Sequence, residues 1–240
     1  MKILKDTSIG EVVKFNYRTA MFFQEHDIDF CCGGKKTISE ASKEVGFDTD
    51  EFIKNLESLA RQADPDTAYI NSLNLSELSE YIIKRHHRYV HDSIPILNKN
   101  LNKICDVHGE HHPELLEVND LFTHSVGALI KHMQKEELML FPYIQRLEQA
   151  FINKSELPGS PFGSVSNPIA MMIEDHQQEG DRFDQISKLT RKYKVPEDAC
   201  TTYELALNQL KEFEIDLHRH IHLENNILFP KAIELEKKFM

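Results

Sequence analysis

Two stretches of the chain nearly repeat each other, and they decide how the rest is interpreted. Residues 132–142 read His-Met-Gln-Lys-Glu-Glu-Leu-Met-Leu-Phe-Pro, and residues 220–230 read His-Ile-His-Leu-Glu-Asn-Asn-Ile-Leu-Phe-Pro. Both follow the pattern His-x3-Glu-x4-Phe-Pro. On an α-helix, residues four apart lie on the same face, so each stretch presents an imidazole beside a carboxylate. Two copies in matching context indicate a metal site built from both halves of a duplicated helical bundle.

The spacing of two further histidines supports the duplication. His87 lies 45 residues before His132, and His176 lies 44 residues before His220. Each half therefore predicts a helical hairpin, with one histidine on its first helix and a His/Glu pair on its second. Four helices around one core can bring these groups together, as bundles do with cofactors held between facing helices.

Composition narrows the class of protein. The 240 residues include only nine glycines and nine prolines, and apolar residues recur with a helical period, which predicts an all-α chain. The formal charge of −11, without a long basic run, argues against a nucleic-acid surface. No apolar stretch approaches the roughly 20 residues that span a membrane. Without a secretory signal or a disulfide framework among the four cysteines, a cytoplasmic location is expected.

Two domains are expected. Residues 1–65 read as a small domain of short helices that carries a double cysteine. Asp64-Pro65-Asp66 breaks the helical pattern, and we place a linker between about residues 62 and 75. Residues 75–240 read as an up-down four-helix bundle, bent where Phe-Pro follows each His/Glu pair.

The predicted metal ligands are the six groups that the repeats supply. They are His87, His132, Glu136, His176, His220 and Glu224. Four nitrogens and two carboxylates serve two metal ions only if the carboxylates bridge them. Imidazole and carboxylate with open coordination positions are characteristic of non-haem iron, whereas structural zinc favours closed, thiolate-rich tetrahedra. The expected cofactor is therefore a pair of iron ions bridged by both glutamates and by an oxo or hydroxo group.

Some neighbouring groups leave alternatives open. His91 lies four residues after His87 and is either an additional ligand or a group beside one. His86 points about 100° away from His87, so only one of them is expected to face the core. Asp175 and Glu137 adjoin ligands and could support them, although solvation at the surface is favoured for Glu137. The remaining histidines of the bundle are expected to be surface or hydrogen-bonded residues: His108, His111, His112, His124, His218 and His222.

The adjacent Cys31 and Cys32 are the other unusual feature. Adjacent cysteines bond to each other only through a strained ring, so free thiols are expected, and the Gly-Gly that follows keeps their approach open. As redox or iron-transfer thiols they could bind a soft metal, exchange disulfides or pair with a second subunit. The alternative is a small buried cysteine in a turn. Cys105 and Cys200 are isolated in sequence and are interpreted as structural.

These features together resemble the repair-of-iron-centres family, bacterial di-iron proteins with a hemerythrin-like bundle behind a short cysteine-bearing domain. The resemblance rests on Asp29-Phe-Cys-Cys-Gly-Gly-Lys35, on His132-x3-Glu136-Glu with Leu140-Phe-Pro142, and on Ala199-Cys-Thr-Thr202 followed by His220-x3-Glu224-Asn-Asn with Leu228-Phe-Pro230. It implies that the four histidines are terminal ligands and that the two glutamates bridge the irons. One departure is Ala128, which stands where some relatives carry a carboxylate.

The resemblance implies a function as well. Members of the family are implicated in restoring iron–sulfur clusters damaged by oxidative or nitrosative stress and are reported as dimers. We therefore expect iron–sulfur proteins as clients, a homodimer, and iron donation as the leading activity. Reduction of nitric oxide or peroxide at the di-iron site is an alternative of the enzyme class, and sensing of oxygen or nitric oxide is one of the binding class. No catalytic residue is assigned.

Overall fold

The computed structural model describes residues 1–239, and its regular structure is helical. In chain order the α-helices are α1 Ile9–Phe15, α2 Arg18–Glu25, α3 Ile38–Glu44, α4 Thr49–Ala60, α5 Pro65–Ser72, α6 Leu75–Ile82, α7 Arg88–His108, α8 Glu114–Lys135, α9 Phe141–Ile152, α10 Ser166–Leu189, α11 Thr201–Leu223 and α12 Phe229–Lys237. The π-helical segments are π1 Ile83–His87, π2 Glu136–Leu140 and π3 Glu224–Leu228. The predicted all-α class is confirmed. Within the described range, no helix is both long and apolar enough to cross a bilayer.

The chain packs as two units. Unit 1 contains Met1–Ser79, Leu147–Pro158 and the residues from Ile221 onward, and unit 2 contains Glu80–Arg146 and Gly159–His220. Unit 1 therefore combines the N-terminal helices with two later parts of the chain. The division into domains at residues 1–65 and 75–240 stays a prediction.

Unit 2 is a four-helix bundle of α7, α8, α10 and α11, and each of these helices contributes one aromatic ring to its core. The ring of Phe213 on α11 lies 5.5 Å from Phe122 of α8 and 5.5 Å from Phe183 of α10, between centroids. Tyr89 of α7 completes the layer at 6.1 Å. Rings of this size remove a large apolar area from water, so the layer fixes the helices around one axis. The predicted four-helix bundle is confirmed.

In unit 1, the short helices begin at well-formed caps. Ser8 and Glu11 form a reciprocal capping box at the start of α1, and Thr37 and Glu40 form another at the start of α3. Four phenylalanines hold these helices together: Phe22, Phe23, Phe47 and Phe52. The small domain therefore has its own aromatic core.

The segment interpreted as a linker contains a helix. Asp64 accepts a hydrogen bond from the backbone N–H of Thr67, and Pro65 occupies the first position of α5. The break in the helical pattern is short because an Asp-Pro pair that ends one helix also provides the N-cap and first residue of the next. The following helix, α6, is anchored within the same unit, since Glu148 accepts from the backbone N–H groups of Leu75 and Ser76 at 2.8 and 2.9 Å.

Two of the π-helical segments, π2 and π3, lie at corresponding places in the two sequence repeats. Phe141 donates its backbone N–H to the carbonyl of Glu136, and Phe229 donates to Glu224, so each bond spans five residues instead of four. A proline follows in both copies. Proline lacks an N–H and its ring crowds the carbonyl four residues earlier, which disfavours the ordinary α-helical register at this point. Single-turn π-helical segments of this kind are frequent at functional sites.

Candidate metal centre

Five of the six predicted ligands converge inside unit 2. They are His87, His132, Glu136, His176 and His220, and each is at most 3% exposed. The ligand atoms of His87, Glu136 and His220 lie within 4.8 Å of one another, and so do those of His132, Glu136 and His176. Each half of the sequence repeat thus contributes to both groups. Glu136 is common to the two.

The distances describe two pairs of imidazoles that share one carboxylate. The Nε2 atoms of His87 and His220 are 3.2 Å apart, and those of His132 and His176 are 2.9 Å apart. Oε2 of Glu136 lies 3.4 Å from Nε2 of His87 and 3.4 Å from Nε2 of His132. One carboxylate in contact with both pairs is the arrangement that a bridging ligand requires.

Two of the imidazoles are oriented by carboxylates behind them. Nδ1 of His87 lies 2.7 Å from Oε1 of Glu137, and Nδ1 of His132 lies 3.2 Å from Oδ2 of Asp175. An ionised carboxylate can only accept a hydrogen bond, so in both rings Nδ1 carries the proton. The neutral form of each ring then has its lone pair on Nε2, which faces the cluster. This is the usual support of a metal-ligating histidine.

The charge of Asp175 is secured by its surroundings. The hydrogen bond from His132, with a further one from Lys135, holds the pKa of Asp175 at about 2 despite partial burial. The carboxyl group is therefore ionised at neutral pH and remains an acceptor. The prediction that Asp175 supports a ligand agrees with this contact, whereas the preference for a solvated Glu137 was wrong because Glu137 accepts from His87.

Glu224 occupies, relative to His220, the position that Glu136 occupies relative to His132. It begins π3 one helical turn after His220, and its side chain is 0% exposed. Burial of a carboxylate is costly unless charge or hydrogen bonds compensate it. Its place in the ligand set stays a prediction.

The residues fit a divalent metal. The carboxylate of Glu136 lies 3.4 Å from two imidazole nitrogens, and each of these has a second imidazole nitrogen at 2.9 or 3.2 Å. A cation between them would satisfy the lone pairs that this arrangement gathers. The donors of unit 2 are nitrogen and oxygen atoms with no thiolate among them, which suits non-haem iron better than structural zinc.

The alternatives on the first ligand helix are resolved by burial. His86 and His87 are both 1% exposed, so the prediction that only one faces the core was wrong. They lie in π1, whose wider turn changes the angle between neighbours. His86 contacts Asp216 at 3.0 Å instead of the cluster. His91 is exposed, since the buried face continues from His87 through Val90, and it is no ligand of this group.

In unit 1, Asp29 organises the double cysteine. Its carboxylate accepts from the backbone N–H groups of Cys31, Cys32 and Gly33 at 2.7 to 2.9 Å. The Cys31 thiol donates to the sulfur of Cys32 at 3.9 Å, and the two are not joined by a disulfide. Asp29 with both cysteines forms a third group that could hold a metal ion. Cys31 is only 3% exposed, so the expected open approach was wrong for this thiol. Contact with Cys32, together with burial, raises the pKa of Cys31 well above its usual range.

Asn226, two residues after Glu224, holds the cysteine loop. Its side-chain amide donates to the carbonyl of Cys31 at 3.1 Å, and that of Asn225 donates to the same carbonyl at 3.4 Å. A Cβ added at Gly34 would overlap the Asn226 side chain, so this close approach requires glycine. The thiol loop is thus bound to the turn that carries Glu224.

Sequence reasoning missed one pair entirely. Cys200, interpreted as structural, is exposed, and its sulfur lies 3.2 Å from Nε2 of His108. His108 was expected to be an ordinary surface or hydrogen-bonded residue. The partners are 92 residues apart, and no local pattern links them.

Comparison with known proteins places the chain among metal-binding proteins. The profile of the Hemerythrin HHE cation binding domain matches residues 78–232, and that of Domain of Unknown function (DUF542) matches residues 5–60. The chain is 33% identical over 233 residues to the iron-sulfur cluster repair protein YtfE of Dickeya chrysanthemi, covering 97% of this chain and 99% of the relative. It is 30% identical over 229 residues to the iron-sulfur cluster repair protein ScdA of Staphylococcus haemolyticus, covering 95% and 99%.

Proposed function

Because the chain belongs to the hemerythrin HHE cation-binding family and aligns nearly end to end with iron–sulfur cluster repair proteins, we propose that it restores damaged iron–sulfur clusters by donating iron. The observation that carries the proposal is the buried group of four histidines around Glu136. A bound pair of ferrous ions would supply transferable iron and, with open coordination places, access for small ligands.

The proposed ligands are the six residues of the two repeats. His87, His132, His176 and His220 would each bind through Nε2. Glu136 would bridge, since one of its oxygens faces two imidazole pairs. Glu224 would be the second bridge, which its burial and its position in π3 support. We propose two iron ions per chain, because six protein donors shared between two ions would leave places for an oxo or hydroxo bridge.

Donation requires a way out for the metal, and the carboxylates behind the ligands provide a candidate. The side chains of Glu137 and Asp175 are 34% and 33% exposed, while the histidines that they hold are buried. Each therefore connects a buried ligand with the surface. Movement of either carboxylate would release the imidazole ring that it orients. A fully enclosed iron site would lack such a contact between its ligands and the surface.

The double cysteine is proposed as an iron-transfer or redox site that acts together with π3, the segment that carries Glu224. Asp29, Cys31 and Cys32 offer one carboxylate and two sulfur ligands in a group. Cys32 is partly exposed, so it would be the first thiol to meet iron or a client. Hydrogen bonds from Asn225 and Asn226 to Cys31 join this loop to π3, which supports a concerted role.

The remaining proposals concern setting and partners. The clients are proposed to be iron–sulfur proteins damaged by oxidative or nitrosative stress, and the similarity to iron-sulfur cluster repair proteins supports this class of client. We also propose a cytoplasmic location and a homodimer. Sedimentation of the iron-loaded protein would test the dimer directly.

The test of donation uses a hydratase whose cluster has been damaged by nitric oxide. Iron-loaded protein is mixed with it under anaerobic conditions, and hydratase activity is followed beside a matched amount of free ferrous ion. We expect greater recovery with the protein. Glu136→Gln should abolish the excess, whereas Glu110→Gln, an exposed matched control, should keep it. Recovery no better than with free ferrous ion would reject iron donation.

A further inference from the structure

A second chemical site lies in unit 2, where α7 ends and α11 begins. Cys200 immediately precedes α11, and its carbonyl accepts the backbone N–H groups of Tyr203 and Glu204 at 2.9 and 3.1 Å. It is therefore the N-cap residue of a helix of 23 residues. The backbone N–H groups of Thr202 and Tyr203 also face its sulfur. A negative charge at such a helix start is favoured by the helix dipole.

An imidazole approaches the same sulfur. Nε2 of His108, the last residue of α7, lies 3.2 Å from Sγ of Cys200. The His108 ring is held in place by Tyr203, with 5.2 Å between centroids. Thus a thiol, an imidazole and a helix N-terminus meet, and the helix start is not the only feature that favours a thiolate.

Other titratable groups surround the Cys200–His108 pair. His112 packs against the same face of the site, 5.4 Å from the Tyr203 ring and 6.4 Å from the His108 ring. Its two nitrogens contact Glu114 and Asp198, each at 3.1 Å. These carboxylates are engaged with His112, which leaves His108 to the sulfur.

The thiol is reachable and acidic. Cys200 is exposed, and the hydrogen bond from His108, followed by those from the backbone, lowers the pKa of its thiol to about 7. The nearby Cys105 behaves differently, because its sulfur donates to the carbonyl of Leu115 and burial raises its pKa. Low pKa together with exposure is what separates reactive from structural cysteines.

We propose that Cys200 and His108 form a thiolate–imidazolium pair that reacts with low-molecular-weight disulfides, making Cys200 a site of reversible S-thiolation. The Cys200 sulfur attacks one sulfur of the disulfide, so a new S–S bond forms as the old one breaks. Cys200 is oxidised to the disulfide level, and the leaving sulfur is reduced to a thiol. The proton of the His108 imidazolium passes to that leaving thiolate. Charge, protons and electrons therefore balance.

A metal site is a less suitable interpretation of the same residues. Among residues 1–239, no third His, Cys, Asp or Glu lies close enough to complete a ligand group with Cys200 and His108. Two donors on an exposed surface bind a metal weakly, whereas attack on a disulfide needs only one thiolate and one proton donor. The site also shares no residue with the candidate iron ligands, so its test is independent of the proposed function.

The first measurement is the pH dependence of alkylation of iron-loaded protein by iodoacetamide, with each cysteine read separately by peptide mapping. We expect the rate at Cys200 to have its midpoint near pH 7. In His108→Gln the midpoint should move above about pH 8, and the rate at pH 7 should fall about three- to sixfold, since lost thiolate is partly offset by higher nucleophilicity. His111→Gln, an exposed neighbour, is the matched control and should leave both unchanged.

The second measurement uses oxidised glutathione at pH 7. We expect one glutathionyl group on the Cys200 peptide, removed by dithiothreitol and formed faster than any adduct on Cys105. Cys200→Ser keeps a side chain that caps a helix, so the protein should fold normally and lose this adduct. A Cys200 midpoint above pH 8 in the unmodified chain, an unshifted midpoint in His108→Gln, or no preference for Cys200 over Cys105 would each overturn the proposal.

Discussion

The π-helical segments π2 and π3 have the same backbone hydrogen bonding, but the side chains of their second and third residues contact different groups. In π2 and π3 the first residue is a buried glutamate whose carbonyl accepts a bond from the phenylalanine five residues later. The next residue is Glu137 in π2, which holds the predicted ligand His87. In π3 it is Asn225, which helps to hold the carbonyl of Cys31. The two segments thus agree in the position of the buried carboxylate and differ in the group that the next side chain contacts.

The largest expected effect tests whether the two buried glutamates, Glu136 and Glu224, have equivalent functions. Loss of a residue that hydrogen-bonds to a metal ligand weakens metal binding by about 10–100-fold. Glu136→Gln and Glu224→Gln should each weaken iron binding by more than that, because they remove a charged ligand. Metal content after gel filtration and competition with a chelator would measure it. Glu110→Gln is the control. Loss of iron in Glu136→Gln alone would break the equivalence and remove Glu224 from the ligand set.

The next effect tests the difference between the turns. Glu137→Ala should weaken iron binding by about 10–100-fold, since the Nδ1 proton of His87 loses its acceptor. Asn225→Ala should leave iron affinity unchanged, because its amide bonds the cysteine loop. Chelator competition on both variants gives the comparison. Equal losses in the two would mean that the outer residues of both turns serve the metal.

The sequence was sufficient for the parts of the site that depend on helical spacing. The His-x3-Glu pairs put an imidazole and a carboxylate on one face, and duplication supplied the other two histidines, so the five groups of unit 2 could be named. Phe-Pro indicated an interruption of each helix, but the π-turns and the burial of His86 were missed. A shift of hydrogen-bond register has no residue signature as clear as a helical period.

The contacts that escaped prediction join residues far apart in the chain. Asn226 meets Cys31 across 195 positions, and Cys200 meets His108 across 92. Each of these residues looks ordinary in its own segment. The expected accessibility of Cys31 failed for the same reason, because Asn225 and Asn226 from another part of unit 1 contact this turn, and Cys31 is only 3% exposed.

A third prediction concerns the close packing of π3 against the cysteine loop. Gly34→Ala should destabilise the protein by about 1–3 kcal/mol, because the new methyl group overlaps the side chain of Asn226. Urea unfolding would measure it. Gly127→Ala is the control and should not destabilise the protein, since a Cβ there meets no atom within 4 Å and alanine is the better helix former inside α8. Adding Asn226→Ala should recover part of the loss. Strict additivity of the two changes would show that they do not interact.

The smallest effect compares the third residue of each turn. Asn226 bonds the carbonyl of Cys31 at 3.1 Å, so Asn226→Ala should cost about 1 kcal/mol of unfolding free energy. Leu138, its counterpart in π2, is 76% exposed, so Leu138→Ala should change that energy by less than about 0.5 kcal/mol. The Asn226 variant should also alkylate faster at Cys31, because the loop is released. A larger cost at Leu138 than at Asn226 would mean that π2 is covered by a partner, since an exposed side chain alone cannot contribute so much.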